Sequence, residues 1–228
     1  MNAARAAARA AAIVLGREVR AEMRTRELLQ TTIVFAVIVV VLFNFAFEPS
    51  VGEARRFGPG LIWIALLFSA SLMLNPSFAR EQSNDTIYAL RMAPASSFAI
   101  LLGKTLANLL FLCITEVILL PVFSVLYNVP LLPVIGRLAL VLFLGTFGIV
   151  VVGTVFSALA AQARLRELLL PLLLLPVLIP LLFASVETTA GLLGDSPALD
   201  RTWMAVLVAF DVVFFTASWL LCDYLLEE

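Results

Sequence analysis

The stretch "REQSNDTIYALRMAPASS", residues Arg80 to Ser97, is polar and charged, and it lies between two long runs of almost pure hydrocarbon. These runs are Gly60–Phe78 and Leu101–Tyr127, and each is close to the roughly 20 apolar residues that a helix needs to cross a bilayer. A short polar connection between two runs of this length predicts a helical hairpin in a membrane.

The whole chain is too apolar for a soluble domain. Of its 228 residues 62% are apolar and 14% are charged, whereas roughly half of the residues of a globular domain are apolar. Six runs have membrane length: Thr31–Phe47, Gly60–Phe78, Leu101–Tyr127, Leu138–Ala161, Leu168–Val186 and Trp203–Leu226. We predict one all-α transmembrane domain over residues 1–228, because lipid leaves backbone groups no partner outside a helix or a closed barrel.

Lysine and arginine predict the orientation, because they are in excess in cytoplasmic loops. One side carries eleven of them: Arg5, Arg9, Arg17, Arg20, Arg24, Arg26, Arg80, Arg91, Lys104, Arg164 and Arg166. The other side carries four: Arg55, Arg56, Arg137 and Arg201. We therefore expect a multi-pass membrane protein with both termini and the 80–97 stretch in the cytoplasm.

The basic segment before the first span, residues 13–29, places apolar side chains near one helical face and arginines on others. This pattern is typical of a helix lying in the membrane interface, and an irregular basic tail is the alternative. The alanine-rich residues before it are expected to form a frayed extension.

The fourth span contains a series of small residues: Gly145, Gly148, Gly153, Ser157 and Ala161. The last three recur every four residues, which allows another helix to approach closely. The alternative is the ordinary enrichment of glycine in membrane helices.

The fifth span contains Pro171, Pro176 and Pro180. Each proline removes a backbone donor and tends to kink a helix. We expect a broken or strongly bent span that moves or lines a substrate path, or alternatively a static kink.

Several kinds of chemistry are excluded by composition. The chain has no histidine, so it has no histidine-based triad, metal site or haem ligand, and we expect neither catalytic nor metal-binding residues. Its net charge of −1 gives no indication of nucleic-acid binding. Gly103-Lys104-Thr105 matches only the end of a phosphate-binding loop, and its flanks read as membrane helix, so Lys104 is expected to reach lipid headgroups instead.

Ionisable residues inside a membrane are costly and are therefore candidate functional residues. Glu116 in the third span and Asp211 in the sixth meet this criterion, and Asn75 beside Pro76 is a weaker candidate. They would serve a polar path or a contact with a partner helix, or alternatively a purely structural role inside the bundle.

Within the 80–97 stretch, residues 84–94 read as a short amphipathic helix that Asn84 or Asp85 caps and Pro94 ends. Its apolar side chains include Ile87 and Leu90. Such a helix on the cytoplasmic side is suited to docking in a groove of a partner protein, and a solvated loop is the alternative.

Three blocks of the sequence resemble one known family. They are "GPGLIWIALLFSASL" at 58–72, "LRMAPAS" with "LLGKTLANLL" at 90–110, and "LLPLLLLPVLIPLLFA" at 169–184. They resemble the haem exporter protein B family (CcmB), the membrane subunit of an ATP-binding-cassette (ABC) complex in cytochrome c maturation. The similarity extends over about residues 17–225.

The resemblance implies a type-2 ABC exporter fold, with a coupling helix between spans 2 and 3 that docks on a separate ATPase. The residues expected at that contact are Glu81, Asp85, Thr86, Ile87, Leu90, Arg91 and Pro94. It implies no cofactor held directly by this chain, ATP in the partner subunit and haem as a candidate cargo. The implied partners are the ATPase, a tryptophan-rich haem-handling membrane protein, a periplasmic haem chaperone and membrane lipid.

Two other functions remain open from the sequence. A type-2 exporter permease for lipid or drug would have the same six spans, and so would a membrane scaffold without transport.

Overall fold

The computed structural model describes residues 2–83, 97–160, 166–194 and 197–227. These residues form seven α-helices and no strand: α1 (Asn2–Thr25), α2 (Glu27–Phe47), α3 (Val51–Ser83), α4 (Ser97–Leu126), α5 (Ile135–Ala160), α6 (Arg166–Leu193) and α7 (Arg201–Glu227). The helices α2 to α7 are long and apolar enough to cross a membrane. The prediction of an all-α integral membrane protein with six spans is therefore confirmed.

The first helix differs from its predicted bounds of 13–29. It begins at Asn2, so the alanine-rich start is helical, and it ends at Thr25, so Leu28 and Leu29 belong to α2. Arg26 forms the corner in a left-handed conformation with φ 56°. The buried carboxylate of Glu22 accepts a hydrogen bond of 2.8 Å from the backbone N–H of Leu29 and so caps the start of α2.

The second span is longer than predicted at its start. Helix α3 begins at Val51 rather than at Gly60, because Ser50 and Glu53 form a capping box. The Glu53 carboxylate accepts bonds of 2.9 Å from the Ser50 N–H and 2.7 Å from the Ser50 hydroxyl.

The fifth span continues past its predicted end at Val186 to Leu193. The hydroxyls of Thr188 and Thr189 donate to the carbonyls of Ala184 and Ser185, at 2.7 Å each, and so keep polar residues inside the helix. Helix α6 is also continuous through Pro171, Pro176 and Pro180, so the span is not broken, whereas a strong bend or a static kink stays a prediction. The helix is maintained by its remaining backbone bonds and by buried neighbours such as Leu178.

Helix α5 occupies the centre of the bundle and packs against α3, α4, α6 and α7. It has buried residues on all sides, from Leu138 to Ala160. Helix α2 lies at the periphery, where only Thr32, Ala36 and Val40 are buried. The central position of α5 brings side chains from four other helices to a single level of the bundle.

Candidate functional site

The small residues of α5 allow the other helices to approach it closely, as predicted. A Cβ atom at Gly145 would clash with the Trp63 ring of α3, and one at Gly153 would clash with the Leu74 side chain. Ser157 donates a hydrogen bond of 2.6 Å to the Leu74 carbonyl. The close-packing prediction is therefore confirmed for Gly153 and Ser157, whereas Ala161 lies outside the described residues; Gly145 adds a close contact that the series did not include.

Glu116 is buried at the interface between α4 and α5. The buried hydroxyl of Thr146 donates a short hydrogen bond to its Oε1 atom. Glu116 lies about ten residues before the end of α4, a rise of roughly 15 Å. This distance is half of a hydrocarbon core of about 30 Å. The prediction that Glu116 is an intramembrane polar residue is consistent with this depth, and its partner Thr146 could not be chosen from the sequence.

Asp211 is buried between α7 and α5, at a similar depth. A Cβ atom at Gly148 would lie 2.6 Å from its Oδ1 atom. Neither carboxyl oxygen has a hydrogen-bond partner among the described residues. A buried polar group without a partner is costly, so this position is a candidate for a functional role.

The two carboxyl groups are on opposite sides of α5. Their neighbours on that helix, Thr146 and Gly148, are two residues apart, which corresponds to a rotation of about 200°. The backbone of α5 therefore separates Glu116 from Asp211, and the pair does not have the geometry of cooperating acid and base groups.

A third polar group at this level joins α3 to α6. Trp63 donates through Nε1 to the Thr189 hydroxyl at 3.0 Å, and Thr189 donates to the Ser185 carbonyl. The Ser185 hydroxyl is buried without a hydrogen-bond partner in the described part of the chain, and it would lie 2.7 Å from a Cβ atom at Gly145. Sequence reasoning missed these residues.

The residues 145–148 of α5 thus form the centre of a layer, which we call the polar layer. It comprises Trp63, Glu116, Thr146, Ser185, Thr189 and Asp211. No group of three or more possible metal ligands occurs within the described ranges. The layer brings buried polar side chains of α3, α4, α5, α6 and α7 to one level of the bundle.

Asn75 belongs to α3, but its side chain lies outside what the structure describes. One residue earlier, Leu74 makes its contacts with α5. Nearby, the Asn108 amide of α4 donates a hydrogen bond of 3.2 Å to the Thr154 hydroxyl of α5. Both groups are buried, so this bond joins α4 to the central helix below the polar layer.

Lys104 does not reach lipid headgroups, so that expectation is wrong. Its side chain is 1% exposed, and its ammonium lies 3.4 Å from the Glu18 carboxylate of α1. Burial by itself would raise the pKa of Glu18, but the charges of Lys104 and Arg17 outweigh it and hold that pKa below its ordinary value.

The same contact positions α1 on the first turns of α4. A Cβ atom at Gly103 would lie 2.7 Å from both the Ala11 carbonyl and the Val14 side chain. Gly103 and Lys104 therefore act in helix packing, and the sequence could not reveal this because Glu18 is 86 residues away from Lys104.

The structure describes the side chains of none of the predicted docking residues. Glu81 belongs to α3, with a side chain that is not described, and Asp85, Thr86, Ile87, Leu90, Arg91 and Pro94 lie outside the described residues. The ends of the segment are nevertheless defined, because α3 ends at Ser83 and α4 begins at Ser97.

Comparison with known proteins identifies close relatives. A protein of Pseudomonas aeruginosa named Heme exporter protein B is 32% identical over 200 residues, which are 86% of this chain and 88% of that protein. The protein of the same name from Rhodobacter capsulatus is 31% identical over 174 residues, 76% of this chain and 79% of that protein. The one from Bradyrhizobium diazoefficiens is 26% identical over 180 residues, 79% and 81% of the two chains.

The family model described as CcmB protein matches residues 9–220. That range contains α2 to α6 completely, together with most of α1 and α7. It also contains every member of the polar layer and the Lys104–Glu18 pair. This chain is therefore a multi-pass membrane protein that belongs to the CcmB family.

Proposed function

We propose that this chain is the membrane subunit of an ABC transport complex in cytochrome c biogenesis. The observation that carries the proposal is the family match over residues 9–220. Its relatives in three bacteria are each named Heme exporter protein B. The complex would handle haem or release a haem-loaded periplasmic chaperone, and it would include a tryptophan-rich haem-handling membrane protein.

ATP hydrolysis in this proposal belongs to a separate soluble subunit. The only phosphate-loop resemblance that we found in the sequence is Gly103-Lys104-Thr105, and the Lys104 ammonium is buried against Glu18. A phosphate-binding lysine must instead point into a loop that holds the nucleotide.

The contact with the ATPase is proposed for the connection between α3 and α4, through Glu81, Asp85, Thr86, Ile87, Leu90, Arg91 and Pro94. What supports a role in coupling is that α1 packs against Gly103 and Lys104, only two turns after α4 begins. A force on the connection would then reach both α4 and α1.

The polar layer lies where a movement of α5 would change the contacts between helices. We propose that Glu116 and Asp211 line a polar path or a helix contact that rearranges as α5 moves. The two unpartnered oxygens of Asp211 support this role, because a second arrangement of the helices can supply donors that the present one lacks.

The test of coupling uses the purified complex. Replacing Asp85 and Arg91 together with alanine should abolish stimulation of the ATPase while membrane insertion remains normal. The matched control replaces Glu48 and Arg201, an exposed acid and an exposed base at the opposite end of the bundle, and should leave stimulation intact. Unchanged coupling in the Asp85/Arg91 variant would contradict the proposal.

A second measurement separates this function from its alternatives. Deletion of the gene should abolish maturation of c-type cytochromes. Normal cytochromes together with altered lipid or drug export would favour an exporter of those compounds, and purification without any ATPase would favour a scaffold.

A further inference from the structure

A cavity of about 510 Å³ opens where α2 turns into α3 and where α4 ends. Its walls are mainly apolar and include several aromatic rings: Phe43, Phe47, Phe57 and Tyr127. Tyr127 is held in position because its hydroxyl donates a hydrogen bond of 3.0 Å to the Val40 carbonyl of α2. The cavity lies at the opposite end of the bundle from α1 and the Lys104–Glu18 pair.

The cavity extends along α3 from Glu53 to Ile64. Eleven steps of an α-helix correspond to a rise of about 16 Å, and one leaflet contributes about 15 Å of a 30 Å hydrocarbon core. An occupant that fills the cavity is therefore extended and apolar, and it reaches from the surface of one leaflet to the middle of the membrane.

The end of the cavity at Glu53 has an acid in its wall and a base close to that wall. The carboxylate of Glu53 lines it, and its bonds to Ser50 fix its position. The Arg56 guanidinium is 5.6 Å from the centroid of the Phe57 ring, which forms part of the wall. Glu53 and Arg56 are three residues apart on α3 and therefore lie near one face of the helix, where they complement a headgroup that contains both a cation and an anion.

We propose that this cavity binds a phospholipid with an amine headgroup, such as phosphatidylethanolamine, from the leaflet opposite α1. One acyl chain lies between the aromatic rings of α2 and the face of α3. The lipid ammonium pairs with Glu53 and the phosphate with Arg56. The site goes beyond the proposed transport function and does not depend on it.

Gly60 allows a sharp test. It lines the cavity, and a Cβ atom there would meet nothing within 4 Å, so Gly60→Leu introduces a side chain whose first atom displaces no neighbour. Gly136, at the start of α5, is equally open but lies outside the cavity, so Gly136→Leu is the matched control. Neither variant should unfold at a lower temperature than the wild-type chain, because leucine is a better helix former than glycine.

The measurement is native mass spectrometry of the full chain, titrated with phosphatidylethanolamine. The wild type and Gly136→Leu should bind one lipid tightly. Gly60→Leu should bind it about tenfold more weakly, because displacing two methylene groups already costs that much. Equal binding by Gly60→Leu and the wild type would overturn the proposal.

The headgroup is tested with Glu53→Gln, which retains an acceptor for Ser50 but removes the charge. This variant should lose the preference for phosphatidylethanolamine over phosphatidylglycerol that the wild type shows. If the wild type shows no such preference, or if added haem displaces the lipid, the cavity has a different occupant and the proposal is wrong.

Discussion

The Asp211 carboxyl of α7 packs directly on Gly148 of α5, and the absence of a side chain at position 148 makes this contact possible. Two residues earlier on α5, Thr146 donates its hydroxyl to Glu116 of α4 on the other side of the helix. The central helix therefore contacts a buried carboxyl group on each side. A rotation or a shift of α5 would change both contacts at once.

Gly148→Ala should loosen the contact between α5 and α7. The new methyl group would lie 2.6 Å from Asp211 Oδ1 and 2.8 Å from the Leu181 side chain, so these side chains must shift or the helices must move apart. We expect a loss of about 1–3 kcal/mol in the free energy of unfolding, as for other overpacked cores. Thermal unfolding of the purified chain measures this loss.

The control for Gly148→Ala is Gly136→Ala, where a Cβ atom meets nothing within 4 Å and stability should not fall. Adding Asp211→Ala to Gly148→Ala should recover part of the lost stability by removing the carboxyl that the methyl group meets. Equal stability of Gly148→Ala and the wild type would show that the two helices are not in close contact.

Glu116→Gln and Thr146→Val should separate function from structure at the α4–α5 interface. Glu116→Gln retains an oxygen that accepts from Thr146, so assembly should be normal while cytochrome c maturation is lost. Thr146→Val leaves the carboxyl buried without this donor and should lower stability by about 1–3 kcal/mol. Full activity of Glu116→Gln would mean that its carboxyl is structural only.

The attachment of α1 to α4 should depend on pH through Glu18. Its pKa is lower in the folded state, so its charge stabilises the fold above the ordinary value of 4.5, and this contribution disappears as the pH falls through the lower folded-state value. Glu18→Gln should therefore cost about 1 kcal/mol at pH 7 and little at acidic pH.

Chemical unfolding of the wild type and Glu18→Gln at several pH values tests this dependence. The control for general loss of charge is Glu48→Gln, because Glu48 is an exposed carboxylate that follows the C-terminal end of α2. A difference between the wild type and Glu18→Gln that stays constant with pH would rule out the ion pair with Lys104 as its source.

Labelling of single cysteines should reveal the orientation in the membrane. In a variant without Cys113 and Cys222, Arg20→Cys on α1 and Gly136→Cys on α5 introduce exposed thiols at opposite ends of the bundle. An impermeant maleimide should label Gly136→Cys from the periplasm and Arg20→Cys only after the inner membrane is opened. The reverse pattern would mean that the basic end faces the periplasm.

The six spans could be predicted from the sequence because the lipid imposes a simple rule. Each backbone group must be satisfied inside its own helix, so a long apolar run implies a spanning helix whatever its neighbours are. The errors in the bounds occur where polar side chains continue a helix. Ser50 and Glu53 begin α3 early, and Thr188 and Thr189 extend α6.

The candidate site was predictable only in part. Glu116 and Asp211 are noticeable in the sequence because they are charged residues in apolar runs, and the series of small residues at 153, 157 and 161 indicated close packing of α5. The sequence could not identify Thr146 as the donor to Glu116, and it could not show that α5 separates the two carboxyls. Those facts depend on which helix faces meet.

The sequence by itself determined that this protein is a bundle of six membrane helices and which residues in it are costly to bury, because transfer to lipid depends on one segment at a time. Only the tertiary structure decided the partners: Lys104 with Glu18, Trp63 with Thr189, and Asp211 with Gly148. The first two pairs are 86 and 126 residues apart in the chain. Such pairs form only when packing brings the faces of different helices together.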